Sequence, residues 1–230
     1  MGAGESLRPA QTTDVLAAGR VVAEAFVHRL KRARVIKSSD RVSSGVHQTS
    51  VPRSLGAAKG IPILRYIPSL KHFDPPWDER PAMIAMVVGA DRKPVTIHRT
   101  YLTLDGEKAP GVEPRGTMPG VETLPAGLAV RLAEHGDTLG VAEGIETAIS
   151  ASILFKVPVW SCLTAHFLKK WEPPAGLCRV IVFGDNDSTF TGHAAAYELA
   201  RRLTVVRKIP DVEVSIYPMR GGDWNEPLAA

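Results

Sequence analysis

The sequence is poor in cysteine and in aromatic residues, which make up 6% of the chain. Its two cysteines, Cys162 and Cys178, lie in or beside apolar runs. We expect both to be reduced core thiols, with a disulfide or a catalytic thiol as alternatives. The seven histidines are scattered, so neither residue type offers the close pairs that zinc sites use. Any bound metal is therefore expected to be held by oxygen.

Long apolar runs are also missing. No run approaches the roughly 20 residues that cross a bilayer, and the first residues lack the apolar stretch of about 7–15 residues that signal peptides contain. We therefore expect a cytoplasmic protein with no membrane partner.

Positive charge is concentrated at one end of the chain. Residues 1–60 contain ten Lys and Arg residues against four Asp and Glu residues, whereas the whole chain carries a net charge of only +4. The basic excess therefore belongs to the first 60 residues. It favours a polyanionic partner, and a solvated tail explains it equally well.

Composition divides the chain into three parts. Residues 1–60 are predicted to form a basic helix, from about residue 13 to 37, followed by a weakly ordered linker. Residues 61–136 are predicted to be mostly β, with a hairpin formed by strands 82–88 and 95–102 and a further strand at 128–132. Residues 137–230 are predicted to form a separate domain.

Strands and helices alternate in this last part. The apolar patterns predict strands at 139–142, 158–162, 179–183 and 212–217, and helices at 145–155, 165–171 and 192–205. Such alternation is typical of an α/β fold in which right-handed crossovers build a parallel sheet with helices on both faces.

Two of these predicted strands end on acidic residues. Glu143 directly follows the first strand, and Asp185 and Asp187 follow the third. Both strand ends are expected at the carboxyl edge of the sheet, where open α/β folds bind ligands. Neighbouring carboxylates repel unless a cation lies between them, and Mg²⁺ prefers oxygen ligands. The pattern predicts a metal site, and the alternative is that each acid caps the helix that follows it.

The motif Glu143-Gly144-Ile145-Glu146-Thr147, followed by a strand and then by Phe183-Gly184-Asp185-Asn186-Asp187 and an alanine-rich helix, resembles the Toprim domain. DnaG-type primases, topoisomerases and some nucleases share this domain. The resemblance covers about residues 137–230 and implies a Rossmann-like parallel sheet flanked by helices. Upstream, residues 97–102 and 105–109 resemble the region that precedes Toprim in primase-like proteins of plasmids, phages and integrated elements.

The resemblance implies roles for particular acidic residues. Glu143 matches a glutamate assigned to proton transfer or metal binding, and Asp185 and Asp187 match a metal-binding pair. Asp223 matches a later acidic position of primase-like members, for which a polar surface turn is the alternative. The implied catalytic residues are therefore Glu143, Asp185 and Asp187, and the implied cofactor is Mg²⁺ or Mn²⁺, held by these three residues and Asp223.

Four basic residues are candidates for contact with nucleic acid. Arg99, Lys108 and Arg115 lie in the upstream segment and could line its approach, and Lys169 could bind phosphate. Solvated surface remains an alternative for the first three, and favourable interaction with a helix C-terminus is an alternative for Lys169.

The chain departs from the family pattern in two places. The commonest family form has glycine three residues after the second aspartate, where this chain has Phe190, and the glycine follows at Gly192. Primases of this group usually carry an N-terminal zinc module, but no cysteine precedes Cys162.

We therefore expect a Mg²⁺-dependent phosphoryl-transfer enzyme acting on DNA or RNA, most similar to the primase-like Toprim proteins of mobile elements. Nucleotides are possible substrates, and a helicase or another replication protein is a possible partner. Two alternatives stay open: a Toprim nuclease that uses the same acids, and a noncatalytic nucleic-acid-binding accessory module of replication.

Overall fold

The computed structural model describes residues 63–72, 74–75, 77–104, 108–118 and 124–224. The chain forms two compact units that divide between Leu124 and Pro125. The basic helix and linker predicted for residues 1–60 lie outside the described residues. The division into parts 1–60, 61–136 and 137–230 therefore stays a prediction.

The upstream unit is an antiparallel sheet. Its strands are β1 (Leu64–Lys71), β2 (Glu79–Val88), β3 (Pro94–Tyr101) and β4 (Arg115–Thr117), and they pair in chain order. The predicted hairpin is confirmed, because β2 and β3 pair from Ala82 opposite Tyr101 to Val88 opposite Pro94. Its turn is closed by the Gly89 N–H, which donates to the Lys93 carbonyl across 2.9 Å.

The downstream unit has the predicted alternation of strands and helices. In chain order it contains β5 (Thr138–Ala142), α1 (Ile145–Phe155), β6 (Val159–Ser161), α2 (Ala165–Lys169), β7 (Arg179–Gly184), α3 (Thr191–Val205) and β8 (Asp211–Ile216). All neighbouring strands are parallel, in the order β6-β5-β7-β8. The α/β fold class, with its upstream β segment, is confirmed.

One predicted strand is wrong. Residues 128–132 form only isolated bridge positions, at Ala129 and Val130, with Val130 antiparallel to Ser161. Ser161 is the last residue of β6, which has only three residues and lies at the edge of the sheet. The apolar residues from Leu128 to Val130 are nevertheless fully buried. Their hydrophobicity reflects packing against the domain core, which a short apolar run does not distinguish from strand pairing.

The sheet packs against helices on both faces. Ile181 and Phe183 of β7 contact a cluster that includes Ala151 and Leu154 of α1. Alternate residues of the same strand, Val180 and Val182, join a second cluster with α2 and α3. Successive residues of a strand point to opposite faces of the sheet, so helices cover both faces of β7.

The strand order creates a switch point in the topology. From β5 the chain crosses to β6 on one side, whereas from β7 it continues to β8 on the other side. Crossover connections between parallel strands all have the same handedness. Two connections that run in opposite directions therefore place their helices on opposite faces of the sheet, α1 on one face and α3 on the other. The loops that leave β5 and β7 therefore diverge, and the rule for open α/β sheets expects a ligand-binding crevice at the carboxyl ends of these two strands. Within the described part of the chain, no helix has the length and apolar character that crossing a membrane would require.

Candidate functional site

Glu143 and Asp185 lie at the two strand ends that flank this switch point. β5 and β7 are neighbours, with Ala142 opposite Phe183. Glu143 follows Ala142, and Asp185 follows Gly184, the last residue of β7. Since neighbouring strands lie about 4.8 Å apart, the sheet brings these two acidic residues to the same short stretch of its carboxyl edge. Both residues are partly exposed.

The backbone around Glu143 is fixed from two sides. The hydroxyl of Ser161, at the end of β6, donates to the Glu143 carbonyl across 2.8 Å. The next residue, Gly144, caps α1, and its carbonyl accepts from Ala148 at 3.0 Å. A buried serine and a helix start therefore hold the glutamate at the edge of the sheet.

The two cysteines lie in different environments. Cys162 is buried and free, which confirms a reduced core thiol. Burial, with a smaller contribution from the negative charge of Glu143, raises the pKa of the Cys162 thiol and keeps it protonated. Cys178 is free but exposed. Its assignment to the core was wrong, because it precedes β7 and lies outside the strand.

The Asp187 carboxylate accepts hydrogen bonds from backbone N–H groups at the start of α3. Its Oδ2 accepts from the Gly192 N–H at 2.7 Å, and its Oδ1 accepts from the N–H groups of Thr189 at 2.9 Å and Thr191 at 3.1 Å. The Thr189 hydroxyl donates to the same Oδ1. These bonds, led by those from the Thr189 hydroxyl and the Gly192 N–H, lower the pKa of the Asp187 carboxyl to about 2. The carboxylate is thus ionised and satisfies backbone donors of the helix start.

Asn186 connects this strand end to the loop that carries Asp223. Its side-chain Nδ2 donates to the Tyr217 carbonyl at 2.9 Å, and its backbone N–H donates to Gly222 at 3.0 Å. The Gly221 N–H returns a bond to the Asn186 carbonyl at 2.6 Å. On the far side of Asp223, the ring of Trp224 is buried. Asp223 is therefore held between two anchored residues, close to the end of β7.

The acidic residues suit a divalent cation in their chemistry and in their place at the switch point, since hard cations take carboxylate oxygens. Within the described residues, however, no three His, Cys, Asp or Glu side chains are grouped closely enough to hold a metal ion. The Asp187 carboxylate, moreover, is already bonded to the start of α3. Glu143 and Asp185 follow the ends of two neighbouring strands, and the metal-binding set of Glu143, Asp185, Asp187 and Asp223 stays a prediction.

The four predicted basic residues do not share one environment. Arg99 lies on β3 and is only 5% exposed, with its guanidinium donating to the Thr117 carbonyl at 3.1 Å. Lys108 and Arg115 are exposed on the same unit. Lys169 is the last residue of α2 and pairs with Glu198 of α3 at 3.5 Å. Exposure therefore favours Lys108 and Arg115 over Arg99 for contact with a large ligand.

Two further residues of the site carry no charge. A Cβ added to Gly192 would lie 2.6 Å from the Asp185 carbonyl oxygen, so the start of α3 approaches the end of β7 as only glycine allows. Phe190, immediately before α3, has the left-handed backbone conformation with φ 60°. The sequence indicated both positions, since Phe190 occupies the place where the family commonly has glycine.

Comparison with known proteins identifies two segments. Residues 138–230 match the family model described as the Toprim domain. This match contains both acidic strand ends and confirms the resemblance drawn from them. Residues 33–132 match a family described as a domain of unknown function, DUF7146. No curated protein matches the chain.

Solved structures of primase domains resemble this chain. A DNA primase domain from Pseudomonas aeruginosa is 13% identical, with a TM-score of 0.45 over 69% of this chain and 51% of that one. A DnaG primase catalytic domain bound to single-stranded DNA is 13% identical, with a TM-score of 0.44 over 70% and 53%. The RNA polymerase domain of Mycobacterium tuberculosis primase DnaG is 15% identical, with a TM-score of 0.41 over 69% and 54%. The chain thus spans about half the length of these structures.

Proposed function

Because residues 138–230 form a Toprim domain, we propose that this protein catalyses phosphoryl transfer on nucleic acid with a divalent cation, in the manner of a primase. The observation that carries the proposal is the pair Glu143 and Asp185 at the ends of two neighbouring parallel strands, at the topological switch point.

Glu143 and Asp185 would hold the ion, which we propose to be Mg²⁺ or Mn²⁺, with Asp187 and Asp223 beside them. A bound divalent ion would neutralise negative charge on the reacting phosphate. The protein's own contribution is positioning. The Ser161 hydroxyl fixes the Glu143 backbone, and the bonds of Asn186 hold the loop of Asp223 against the end of β7.

The proposed substrate is a DNA or RNA strand, with nucleotides as the second substrate. Lys108 and Arg115 are exposed basic residues of the upstream unit and support contact with phosphates. We further propose a cytoplasmic role in the replication of a plasmid, phage or integrated element, with a helicase as a candidate partner.

Incubation of the full chain with labelled single strands tests the proposal. The reactions contain Mn²⁺ or Mg²⁺, with and without nucleotides, and product length is read on a gel. We expect products longer than the nucleotides supplied, formed only with the metal. Glu143→Gln and Asp185→Asn should each lower the rate by at least about 100-fold, as expected when a group that stabilises developing charge is removed.

Asp137→Asn is the matched control, because Asp137 is an exposed carboxylate directly before β5, at the opposite edge of the sheet. It should keep wild-type activity. Shortened strands in place of extended ones would assign the same site to a nuclease. Binding that weakens with salt but does not depend on metal, without any product, would instead assign a noncatalytic accessory role. Full activity in both site variants would refute the carboxylate site.

A further inference from the structure

Phe190 is an exposed aromatic residue beside the acidic strand ends. Its side chain is 57% exposed, although burying a phenylalanine would stabilise the fold. Its backbone is also in the left-handed region, with φ 60° and ψ 17°, which is unfavourable for a bulky residue. Two local preferences are thus violated at one residue, and such residues concentrate at functional sites.

The position of Phe190 is tightly fixed. Its N–H donates to the Asp187 carbonyl at 3.2 Å, and its carbonyl accepts from Ala194 at 2.9 Å in the first turn of α3. Between these two bonds, the Asp187 carboxylate accepts from Thr189, Thr191 and Gly192. The ring is therefore attached to a rigid turn that begins at one of the candidate acids.

A neighbouring side chain contacts the ring of Phe190. The imidazole of His193 lies edge-on to Phe190, with ring centroids 5.5 Å apart and an interplanar angle of 67°. The Nδ1 of His193 is itself buried and has no hydrogen-bond partner among the described residues. We call these two rings the Phe190–His193 pair, and 57% of the phenylalanine side chain stays open to solvent.

We infer that the exposed Phe190 ring of the Phe190–His193 pair is a stacking platform for a base of the nucleic-acid strand whose phosphate reaches Glu143 and Asp185. This inference rests on the proposed function, and it identifies Phe190 as a residue that holds the nucleic-acid strand. A flat apolar ring suits a nucleobase, since every base has a π-face and stacking does not depend on sequence. The turn that carries the ring begins at Asp187, which follows the end of β7, so the ring and this acidic strand end belong to one turn.

The inference predicts a base-dependent part of the affinity. Fluorescence anisotropy measures binding of the full chain, with Mn²⁺ and without nucleotides, to a labelled thymidine strand and to an abasic strand of equal length, which has the same phosphates but no bases. Phe190→Gly removes the ring and suits the left-handed backbone. It should weaken binding of the thymidine strand by about 5- to 150-fold, the range that stacking on one aromatic ring represents, and leave the abasic strand unchanged.

Two further variants complete the design. Phe190→Trp keeps a ring and should keep the affinity of the wild type. Tyr197→Ala removes another exposed aromatic residue, two turns further along α3 and 58% exposed, and should change neither affinity. Thermal unfolding should show that Phe190→Gly is at least as stable as the wild type, which separates loss of the ring from loss of the fold.

The possible failures are distinguishable. If Phe190→Gly binds the thymidine strand as the wild type does, or loses affinity equally for both strands, the platform is refuted while the proposed function stands. If the wild type binds neither strand, the proposed function itself fails and the platform fails with it. A double-mutant cycle between ring and base gives the coupling directly, and a coupling near zero also refutes stacking.

Discussion

The N–H of Gly192 donates a hydrogen bond to Oδ2 of Asp187 across 2.7 Å and thereby joins the start of α3 to the acidic end of β7. The same contact leaves no room for a side chain at Gly192, where a Cβ would lie 3.0 Å from that oxygen and 2.6 Å from the Asp185 carbonyl. The close approach of Gly192 to Asp185 and Asp187 therefore determines both the position of these acidic residues and the packing of α3.

Gly192→Ala is expected to destabilise the fold. Alanine is favoured over glycine inside a helix by about 1 kcal/mol, but here its Cβ would meet backbone atoms that cannot move aside. Such overpacking typically costs about 1–3 kcal/mol, so the net effect should be a loss of stability in urea unfolding. Gly136→Ala is the control, since a Cβ there meets nothing within 4 Å. A Gly192→Ala protein as stable as the control would contradict the close approach.

Asp187→Ala should lower the free energy of unfolding by about 1–2 kcal/mol, because the N–H groups of Thr191 and Gly192 lose their acceptor. Asp187→Asn keeps one side-chain oxygen and should lose less than half of that amount. Chemical denaturation of the metal-free protein measures both changes. Equal losses in the two variants would show that charge, rather than hydrogen bonding to the helix start, determines the contribution of this residue.

Asn186→Ala should release the loop that precedes Asp223. The variant loses the bond from Nδ2 to the Tyr217 carbonyl, which is typically worth about 0.5–1.5 kcal/mol. Arg220 is exposed within this loop, so trypsin should cut after Arg220 faster than in the wild type, as followed by mass spectrometry. Ser188→Ala, at an exposed neighbouring position, should be cut at the wild-type rate. An unchanged rate in Asn186→Ala would show that the backbone bonds alone hold the loop.

The sequence predicted the parts of this site that depend on local pattern. The bounds of α1, Ile145–Phe155, follow from a periodic apolar stretch and agree with the structure. The strand pattern does not extend beyond Gly184, because β7 ends there. The bonds of Asp187 are instead made with residues of the turn from Ser188 to Thr191 and with Gly192.

Bonds between distant parts of the chain could not be predicted. Asn186 donates to a carbonyl 31 residues further along, and no local pattern indicates such a partner. The left-handed backbone of Phe190 was not predicted, since its residue type argues against that conformation. The sheet, helices and acidic strand ends were thus predictable, and the contacts that fix the acids were not.

Arg202 and Arg207 both contact Glu172, but only Arg202 also contacts the end of α2. Comparing the two shows whether ion pairs or bonds to backbone carbonyls stabilise this part of the domain. Both pair with Glu172, at 2.8 Å and 2.7 Å. Arg202 also donates to the carbonyls of Lys169 and Trp171 at the end of α2, and its side chain is 24% exposed against 45% for Arg207. The last carbonyls of a helix need such donors.

Arg202→Met should therefore cost about 1–3 kcal/mol in urea unfolding, because the carbonyls of Lys169 and Trp171 lose their donor. Arg207→Met removes only a solvent-screened pair and should cost less than about 1 kcal/mol. The double variant should lose about the sum of the two, unless Glu172 couples them. Equal losses in the single variants would mean that the shared ion pair, rather than the capping of α2, carries the stabilisation.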